Sequence, residues 1–491
     1  MLAVLAAGAA LVLVPPRAQA QKVSFEGATF VNKGLVGVAR VPSNAVDQLG
    51  DTLGGFGSGM ALVPGTWRKN ADGSFGGSLV MVPDRGWNGR GTTDYAGRLQ
   101  NFDVTLRPFY GAAAETQDQL AMTYRGTTRL RDANGNSTTG LDAATVRPAG
   151  GGFPALPIGP NGRLSVDDEA VAFAGDGTIW VSDEYGPYIY HYSPGGALIG
   201  AIRPPDAFIP KRMSAGGSAD DFSSNSPPEG TSYKKGNPVS GRQNNQGFEG
   251  MSISPDKTRL FVLLQSALIQ DTNPKAIRDS RRDTRLLAYD ITGPAPSLVG
   301  EYVVQLPQYG ESLSAAESEL LALNDHQLLV LARDSNAGFS AKDPLSRYRS
   351  VDLIDVADVA HPASNIANGP YDSPDRSVAP NGVLDPSIVP VAYRKFLDIN
   401  DNAELNRLGL HNGAPNDRND LYEKWESMTL APALDAANPD DFFLFVDSDN
   451  DFATQDGHMA GKPYRDKSGA DVDTLVLVYR VTLPGYGGPR K

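Results

Sequence analysis

The sequence contains no cysteine in its 491 residues and only five histidines. The absence of cysteine excludes a disulfide framework, a cysteine-ligated zinc or iron–sulfur site and a cysteine nucleophile. The sequence also lacks a Gly-x-Ser-x-Gly elbow, a His-Glu-x-x-His pair and a P-loop. These absences argue against a serine–histidine hydrolase and against a zinc peptidase.

Positive charge is in deficit, with 44 Lys and Arg against 57 Asp and Glu and a formal net charge of −13. Because phosphate contacts along a nucleic acid need an excess of Lys and Arg, we expect no nucleic-acid partner. Beyond the N-terminus no apolar run approaches the ~18 residues of a membrane-spanning helix, so we expect no membrane span.

The N-terminus has the pattern of an export signal. Residues 2–14 form an apolar run, and Ala18-Gln19-Ala20 follows it as a small-residue cleavage motif. We therefore predict a signal peptide over residues 1–20, with cleavage after Ala20, and a mature protein that is secreted or periplasmic. The region before the apolar run departs from the usual pattern because it has no Lys or Arg.

The mature chain consists of short apolar runs separated by many of its 53 glycines and 36 prolines. These runs have the length and the β-branched and aromatic content of strands; examples are 78–82, 178–181, 259–263 and 442–446. The pattern predicts an all-β fold.

Four segments repeat one order of features: a glutamate, an apolar strand, a tight turn and a second apolar strand with a polar end. They cover residues 168–184, 248–265, 316–333 and 425–448, with a weaker copy at 59–85. A third strand is indicated after three of them, at 188–192, 286–289 and 348–353. This order is typical of a β-propeller blade. We predict a single β-propeller of six or seven blades with long loop insertions over residues 21–491.

The spacing of the repeats exceeds that of a minimal blade. The repeated glutamates lie 80, 68 and 109 residues apart (169 to 249, 249 to 317 and 317 to 426), whereas a blade needs only about 40–45 residues. Either the blades carry long insertions, as the Ser-, Gly- and Pro-rich stretch 204–246 suggests, or an undetected blade lies in the largest gap.

The repeated glutamates are the candidate catalytic residues. Equivalent positions on the inner strands of a propeller converge on its central channel. Carboxylates gathered there repel one another, and a bound hard cation such as calcium would neutralise them. The alternative is that each glutamate makes the same salt bridge or backbone bond between blades. The candidates are Glu169, Glu249, Glu317 and Glu426.

Further polar residues follow the second strand of each repeat. Arginine beside carboxylates suggests an anionic ligand held jointly by a cation and a guanidinium, although ordinary ion pairing at the blade edge explains the same pattern. Alternating acidic residues at 447–451 suit calcium, but the loop is not an EF-hand, since Phe452 and His458 replace its Gly and Glu. We predict a divalent cation, calcium in the first place, with Asp84, Asp183, Asp447, Asp449 and Asp451 as ligands and Arg85, Glu184 and Arg333 as substrate-binding residues.

The sequence resembles the phytase-like family described as having esterase-like activity of phytase, over roughly residues 37–483. The segments that carry the resemblance are 83–88, 168–170 with 182–186, 245–251 and 425–428. The resemblance implies a secreted propeller whose recurrent Glu and Asp residues form the active centre.

These observations together predict an exported hydrolase that cleaves a small phosphoric ester at an acidic channel mouth. The cation would bind phosphoryl oxygens and activate water. Two alternatives remain open: a calcium-dependent lactonase or carboxylesterase, and a non-catalytic extracellular binding propeller.

Overall fold

The short apolar runs of the sequence form antiparallel strands in the structure, a computed structural model that describes residues 20–87, 90–232, 235–357 and 361–488. Five sheets of four or five strands each contain most of these strands, and each sheet is one blade of a β-propeller. The predicted all-β propeller is therefore confirmed. The predicted signal peptide falls almost entirely on residues 1–19, which lie outside the described residues, as does Asn88.

The chain enters the propeller through two strands that belong to its last blade, β1 (Gln21–Phe25) and β2 (Ala28–Val41). Blade 1 follows, then a small hairpin and blade 2. Blade 1 contains β3 (Gly59–Leu62), β4 (Arg68–Lys69), β5 (Phe75–Val82), β6 (Arg98–Leu106) and β7 (Leu120–Arg129). The hairpin is β8 (Thr145–Arg147) and β9 (Leu156–Ile158). Blade 2 contains β10 (Asp168–Phe173), β11 (Ile179–Asp183), β12 (Ile189–Tyr192) and β13 (Leu198–Ile202).

Two further hairpins separate blades 2, 3 and 4: β14 (Lys211–Ser214) with β15 (Gly217–Asp220), and β20 (Gln308–Tyr309) with β21 (Leu313–Ser314). Blade 3 lies between them and contains β16 (Phe248–Ile253), β17 (Arg259–Leu264), β18 (Asp283–Asp290) and β19 (Ser297–Gln305). Blade 4 contains β22 (Ala316–Ala322), β23 (Gln327–Arg333), β24 (Arg349–Asp355) and β25 (Ala392–Asp398).

Blade 5 combines both ends of the described chain. Its C-terminal strands are β26 (Trp425–Pro432), β27 (Asp441–Ser448) and β30 (Thr474–Thr482), with the hairpin β28 (Gly457–Met459) and β29 (Lys462–Tyr464) between the last two. β2 pairs with β30 in the same sheet and so closes the ring. Short helices lie in the loops: α1 (Asn402–Leu405) and 3₁₀ turns at Asp206–Phe208, Ile269–Asp271, Ile277–Asp279, Pro370–Asp372, Pro380–Gly382 and Asn406–Leu408.

The prediction of six or seven blades is wrong, because the sheets of the described chain form five blades. The additional length lies in loops and hairpins, including the stretch 204–246 that carries β14 and β15. The described residues of the largest gap between repeats form no further blade, since β25 in that gap is the fourth strand of blade 4. The weaker repeat at 59–85 and the three predicted third strands are confirmed as β3 with β5 and as β12, β18 and β24.

The first strand of each blade lines the central channel. β3, β10, β16, β22 and β26 contact one another around a closed ring. Apolar side chains fill the space between neighbouring blades; Trp180 and Ile189 of blade 2, for example, share a buried cluster with Leu260 and Val262 of blade 3. Such packing of one sheet on the next stabilises blades that cannot bury both faces alone. Among the described residues, the structure has no helix long and apolar enough to cross a membrane.

Candidate functional site

A β-bulge marks the start of the inner strand in blades 2 to 5. The pairing register shifts between Asp168 and Val171, and the same shift occurs at the start of β16, β22 and β26. At each shift two residues oppose one on the partner strand, which re-aims the side chain next to the irregularity. The four predicted glutamates all lie at this irregularity, within it in blades 2, 3 and 5 and directly before the unpaired Ser318 in blade 4, so the repeat that the sequence predicts has a structural counterpart. They are Glu169, Glu249, Glu317 and Glu426.

Three of these glutamates line a cavity of about 200 Å³ at one end of the channel. Glu169, Glu249 and Glu426 are only 2–4% exposed. The ends of the second strands contribute Glu184 and Gln265, whose amide contacts the Glu249 carboxylate. The remaining lining residues are Asp84, Asn245, Gln246, Arg281, Ala316, Arg333, Ser335, Glu423, Lys424 and Asp451.

Lys424 is the cation on one side of this cavity. Its Nζ lies 2.7 Å from Asp449 Oδ2, 3.1 Å from Asp84 Oδ2 and 3.1 Å from Glu426 Oε2. Burial by itself would lower the pKa of Lys424, but these carboxylates raise it well above its usual value. In turn, although burial opposes ionisation, Lys424 holds the pKa of Asp449 below its usual range. The negative charge on this side of the cavity is therefore partly compensated by a side chain.

The opposite side gathers carboxyl groups around Glu169, Glu184 and Glu249. One oxygen of each lies within 4.8 Å of the others. Burial, followed by the charge of Glu249, raises the pKa of Glu169 well above its usual value. Burial and the charge of Asp167 raise the pKa of Glu184 to about 8. In the absence of a bound cation, burial and mutual repulsion therefore favour the protonated forms of these groups, as expected for close carboxyls removed from water.

Asp84 connects the two sides of the cavity. It forms one group with Asp167 and Glu169, and a second with Asp449 and Asp451. Its Oδ1 is buried and has no hydrogen-bond partner among the described residues. An oxygen-only donor set with an unsatisfied buried oxygen fits a hard divalent cation. The Asp449 side is less suited to one, because the Lys424 ammonium lies among those oxygens.

Glu317 is the exception among the four equivalent glutamates. It is fully buried, and its Oε2 accepts a hydrogen bond of 3.3 Å from the Gly250 backbone N–H of the neighbouring blade. Its carboxyl group does not line the cavity. The structure thus places three of the predicted catalytic glutamates together and directs the fourth between blades 3 and 4.

The predicted ligands Asp183 and Asp447 also lie away from the cavity. Asp183 accepts hydrogen bonds from the backbone N–H groups of Asp167, Tyr185 and Gly186 and so shapes the loop after β11. Burial nevertheless raises the pKa of Asp183 to about 7. Asp447 is fully buried, and burial raises its pKa well above the usual value.

The two predicted substrate-binding arginines make internal contacts. Arg85 Nε lies 2.9 Å from Asp167 Oδ2, and this arginine does not line the cavity. Arg333 does line it, but its guanidinium pairs with Glu426 and donates a 3.1 Å hydrogen bond to Ser318. Both arginines orient carboxylates of the site.

Asp167, Lys424 and Arg281 are site residues that we did not predict from the sequence. Asp167 and Lys424 precede Glu169 and Glu426 by two positions in their repeats. Gly247 and Ala315 stand at the same position before Glu249 and Glu317, so the repeat pattern gave no signal for Asp167 or Lys424. Arg281 lies in the basic run of residues 275–285, whose sequence allows a phosphate-rich ligand but favours a charged surface insertion, and no repeat marks it.

Fold and site together define a five-bladed β-propeller whose channel opens onto buried carboxylates. The sequence profile of the phytase-like family, described as esterase-like activity of phytase, matches residues 52–452. The chain therefore belongs to this family, and the resemblance found in the sequence is confirmed.

A curated relative from Arthroderma benhamiae (strain ATCC MYA-4681 / CBS 112371), described as an uncharacterized secreted protein, is 40% identical over 462 residues, covering 87% of this chain and 88% of the relative. Among solved structures, a luciferin-regenerating enzyme is 10% identical with a TM-score of 0.27, covering 92% of this chain and 98% of its own. A gluconolactonase from Xanthomonas campestris is 11% identical with a TM-score of 0.25, covering 90% and 98%. At these TM-scores neither structure bears on the site.

Proposed function

We propose that this protein is an exported, cation-dependent hydrolase of small phosphoric esters that acts at the acidic end of the channel. The observation that carries the proposal is the meeting of Glu169, Glu184 and Glu249 within 4.8 Å in a cavity of about 200 Å³. Family membership supports an ester-cleaving activity. Export is supported by the predicted signal peptide and by the description of the relative as secreted.

Glu169, Glu184 and Glu249, with Asp84 beside them, are the residues that would hold the cation. Their donor atoms are all carboxylate oxygens, which suits calcium better than a softer metal. A bound divalent cation would supply Lewis-acid polarisation of the ester and would neutralise the carboxylates around it. Because burial raises the pKa values of these carboxyls, cation binding competes with protonation and weakens as the pH falls.

Other charged residues of the cavity orient the carboxylates around the proposed cation position. Lys424 and Arg333 both contact Glu426 and so fix its orientation. Glu249 belongs to the cation-binding set, and it also lies within 4.8 Å of Glu184 and contacts the Gln265 amide, so its carboxyl can exchange a proton with a neighbouring carboxyl group. The protein thereby offers a proton-transfer group next to the proposed cation position.

The size of the cavity limits what reacts there. Pockets that enclose a drug-sized ligand measure roughly 300–1,000 Å³, whereas this cavity measures about 200 Å³. It therefore accommodates one reacting ester group, and the rest of a larger substrate would remain outside.

Activity assays on the purified protein test the proposal. We expect hydrolysis of p-nitrophenyl phosphate with calcium present, and loss of that activity on chelation. Preference for simple lactones or short carboxylic esters would establish the lactonase or carboxylesterase alternative instead. Inactivity on every substrate with calcium bound would overturn the hydrolase proposal in favour of a binding propeller.

The cation site is tested separately by calorimetry. We expect Glu184→Gln to weaken calcium binding by roughly tenfold or more, because one charged ligand is lost. Glu115→Gln removes an exposed carboxylate elsewhere and is the matched control. Equal affinities of the two variants would contradict the assigned ligands.

The predicted signal cleavage is tested by N-terminal sequencing of the exported protein. We expect its sequence to begin at Gln21.

A further inference from the structure

Arg281 is the cavity-lining arginine that carries no ion pair. Among the residues that the structure describes, its guanidinium makes no salt bridge, and its buried Nε has no hydrogen-bond partner. The two predicted anion-binding arginines differ from it, because Arg85 is paired with Asp167 and Arg333 with Glu426. Arg281 therefore keeps its guanidinium N–H donors for a ligand, whereas Arg85 and Arg333 already use theirs in ion pairs.

The backbone holds Arg281 at the edge of the cavity. Its carbonyl oxygen accepts a 3.0 Å hydrogen bond from the Ala267 N–H, which ties the loop before β18 to the loop after β17. The side-chain amide of Gln243 donates a 2.7 Å hydrogen bond to the Ala267 carbonyl and anchors that loop in turn. The side chain thus projects from a braced segment.

The groups nearest Arg281 do not compensate the positive charge of its guanidinium. Its electrostatic neighbours include Arg278 and Arg333, which carry the same charge, and the hydroxyl of Tyr309. A half-buried guanidinium beside like charges is unfavourable unless an anion accompanies it. The carboxylates of the cavity favour a cation, whereas this edge favours an anion.

We propose that Arg281 binds the anionic group of the substrate, with a phosphoryl group as the ligand. This inference rests on the proposed function and adds a specificity-determining residue to it. The guanidinium fork offers paired N–H donors that match phosphate oxygens. A ligand that joins a cation on the carboxylates to an anion on Arg281 would neutralise both sides of the cavity.

Binding of inorganic phosphate, measured by calorimetry with calcium present, tests Arg281 without requiring turnover. We expect Arg281→Met to weaken phosphate binding roughly ten- to hundredfold, as loss of hydrogen bonds to a charged group predicts, and Arg281→Lys to restore part of it. Arg282→Met is the matched control, because it removes the same charge from a residue that does not line the cavity. Thermal melts establish that each variant is folded.

Several results would overturn the assignment: unchanged phosphate affinity in Arg281→Met, equal losses in both methionine variants, or no phosphate binding by the unaltered protein. Acetate is the second probe, and acetate binding that depends on Arg281 while phosphate binding does not would assign a carboxylate ligand and refute the phosphoryl group. Arg281-dependent phosphate binding in a protein without esterase or phosphatase activity would leave this inference standing and refute the proposed function.

Discussion

The two ends of the channel share inner strands but differ in chemistry. At the acidic end, the bulges direct Glu169, Glu249 and Glu426 into a small polar cavity. Further along the strands lies a second cavity of about 300 Å³ with a largely apolar lining. Each inner strand contributes to that lining, through Met60, Val171, Met251, Leu320 and Met428.

This contrast shows how a repeated strand can serve two purposes. The apolar end follows ordinary packing, in which burial of side chains stabilises the ring. The acidic end gathers buried carboxyls whose desolvation is unfavourable, and Lys424 and Arg333 compensate only part of it. We therefore expect substitutions at the apolar end to change stability, and those at the acidic end to change activity and the response to cations.

Among substitutions at the acidic end, Lys424→Met should lower stability most. Removal of the ammonium leaves Asp84, Asp449 and Glu426 without their shared cation, and breaking such a buried pair costs about 3–5 kcal/mol. Urea unfolding in the presence of a chelator measures the loss. Lys467→Met removes an exposed lysine and should cost below about 1 kcal/mol. Similar losses in the two variants would show that Lys424 is not the compensating charge.

Substitution of Glu249 and of Glu317 by glutamine tests whether two equivalent positions differ in function because their surroundings differ. We expect kcat/KM of Glu249→Gln to fall about a hundredfold or more, as loss of a proton-transfer group predicts. Glu317→Gln should stay within about threefold of the unaltered protein, because its amide oxygen can still accept the Gly250 N–H outside the cavity. Steady-state kinetics at saturating calcium measure both variants. Equal losses would show that all four bulge glutamates serve the reaction.

Leu320→Ala tests the apolar end. Truncation of this buried leucine should lower the free energy of unfolding by about 2–3 kcal/mol, because it removes apolar contacts and enlarges the cavity. The folded variant should keep its kcat/KM, since the glutamates lie at the other end. Leu345→Ala alters an exposed leucine and should change stability by less than about 0.5 kcal/mol. A fall in kcat/KM with Leu320→Ala would show that the two ends are coupled.

The pH dependence of stability without a cation tests the raised pKa values of the buried carboxyls. The folded-state pKa values of Glu184, about 8, and Asp183, about 7, lie above their ordinary values. The folded state therefore binds more protons than the unfolded chain, and the melting temperature should fall by a few degrees as the pH rises from about 5 to 8. Calcium at pH 8 should recover the loss. A melting temperature that rises over this range in chelator would contradict the raised pKa values.

Much of the architecture was predictable from local pattern. The repeated segments, the extra copy at 59–85 and the third strands correspond to strands of the structure, since alternating apolar residues and tight turns are properties of neighbouring residues. The number of blades was not predictable in this way. Insertions such as 204–246 change the spacing between repeats without adding a sheet.

The candidate site was predictable only in part. Glu169, Glu249 and Glu426 were identified by repetition, and all three lie in one cavity. Repetition equally selected Glu317, whose side chain turns toward Gly250. An equivalent backbone position does not determine which neighbour a side chain meets.

The all-β repeat, the family and the position of the recurrent glutamates follow from sequence, because each of these depends on residues close together in the chain. The folded ring is needed to establish that β2 closes it against β30, that Lys424 lies among the carboxylates, and that Arg281 lines the cavity with no salt bridge to a described residue. Those outcomes depend on groups brought together from distant blades. The charge balance of the site is therefore a property of the assembled ring, and no single repeat contains it.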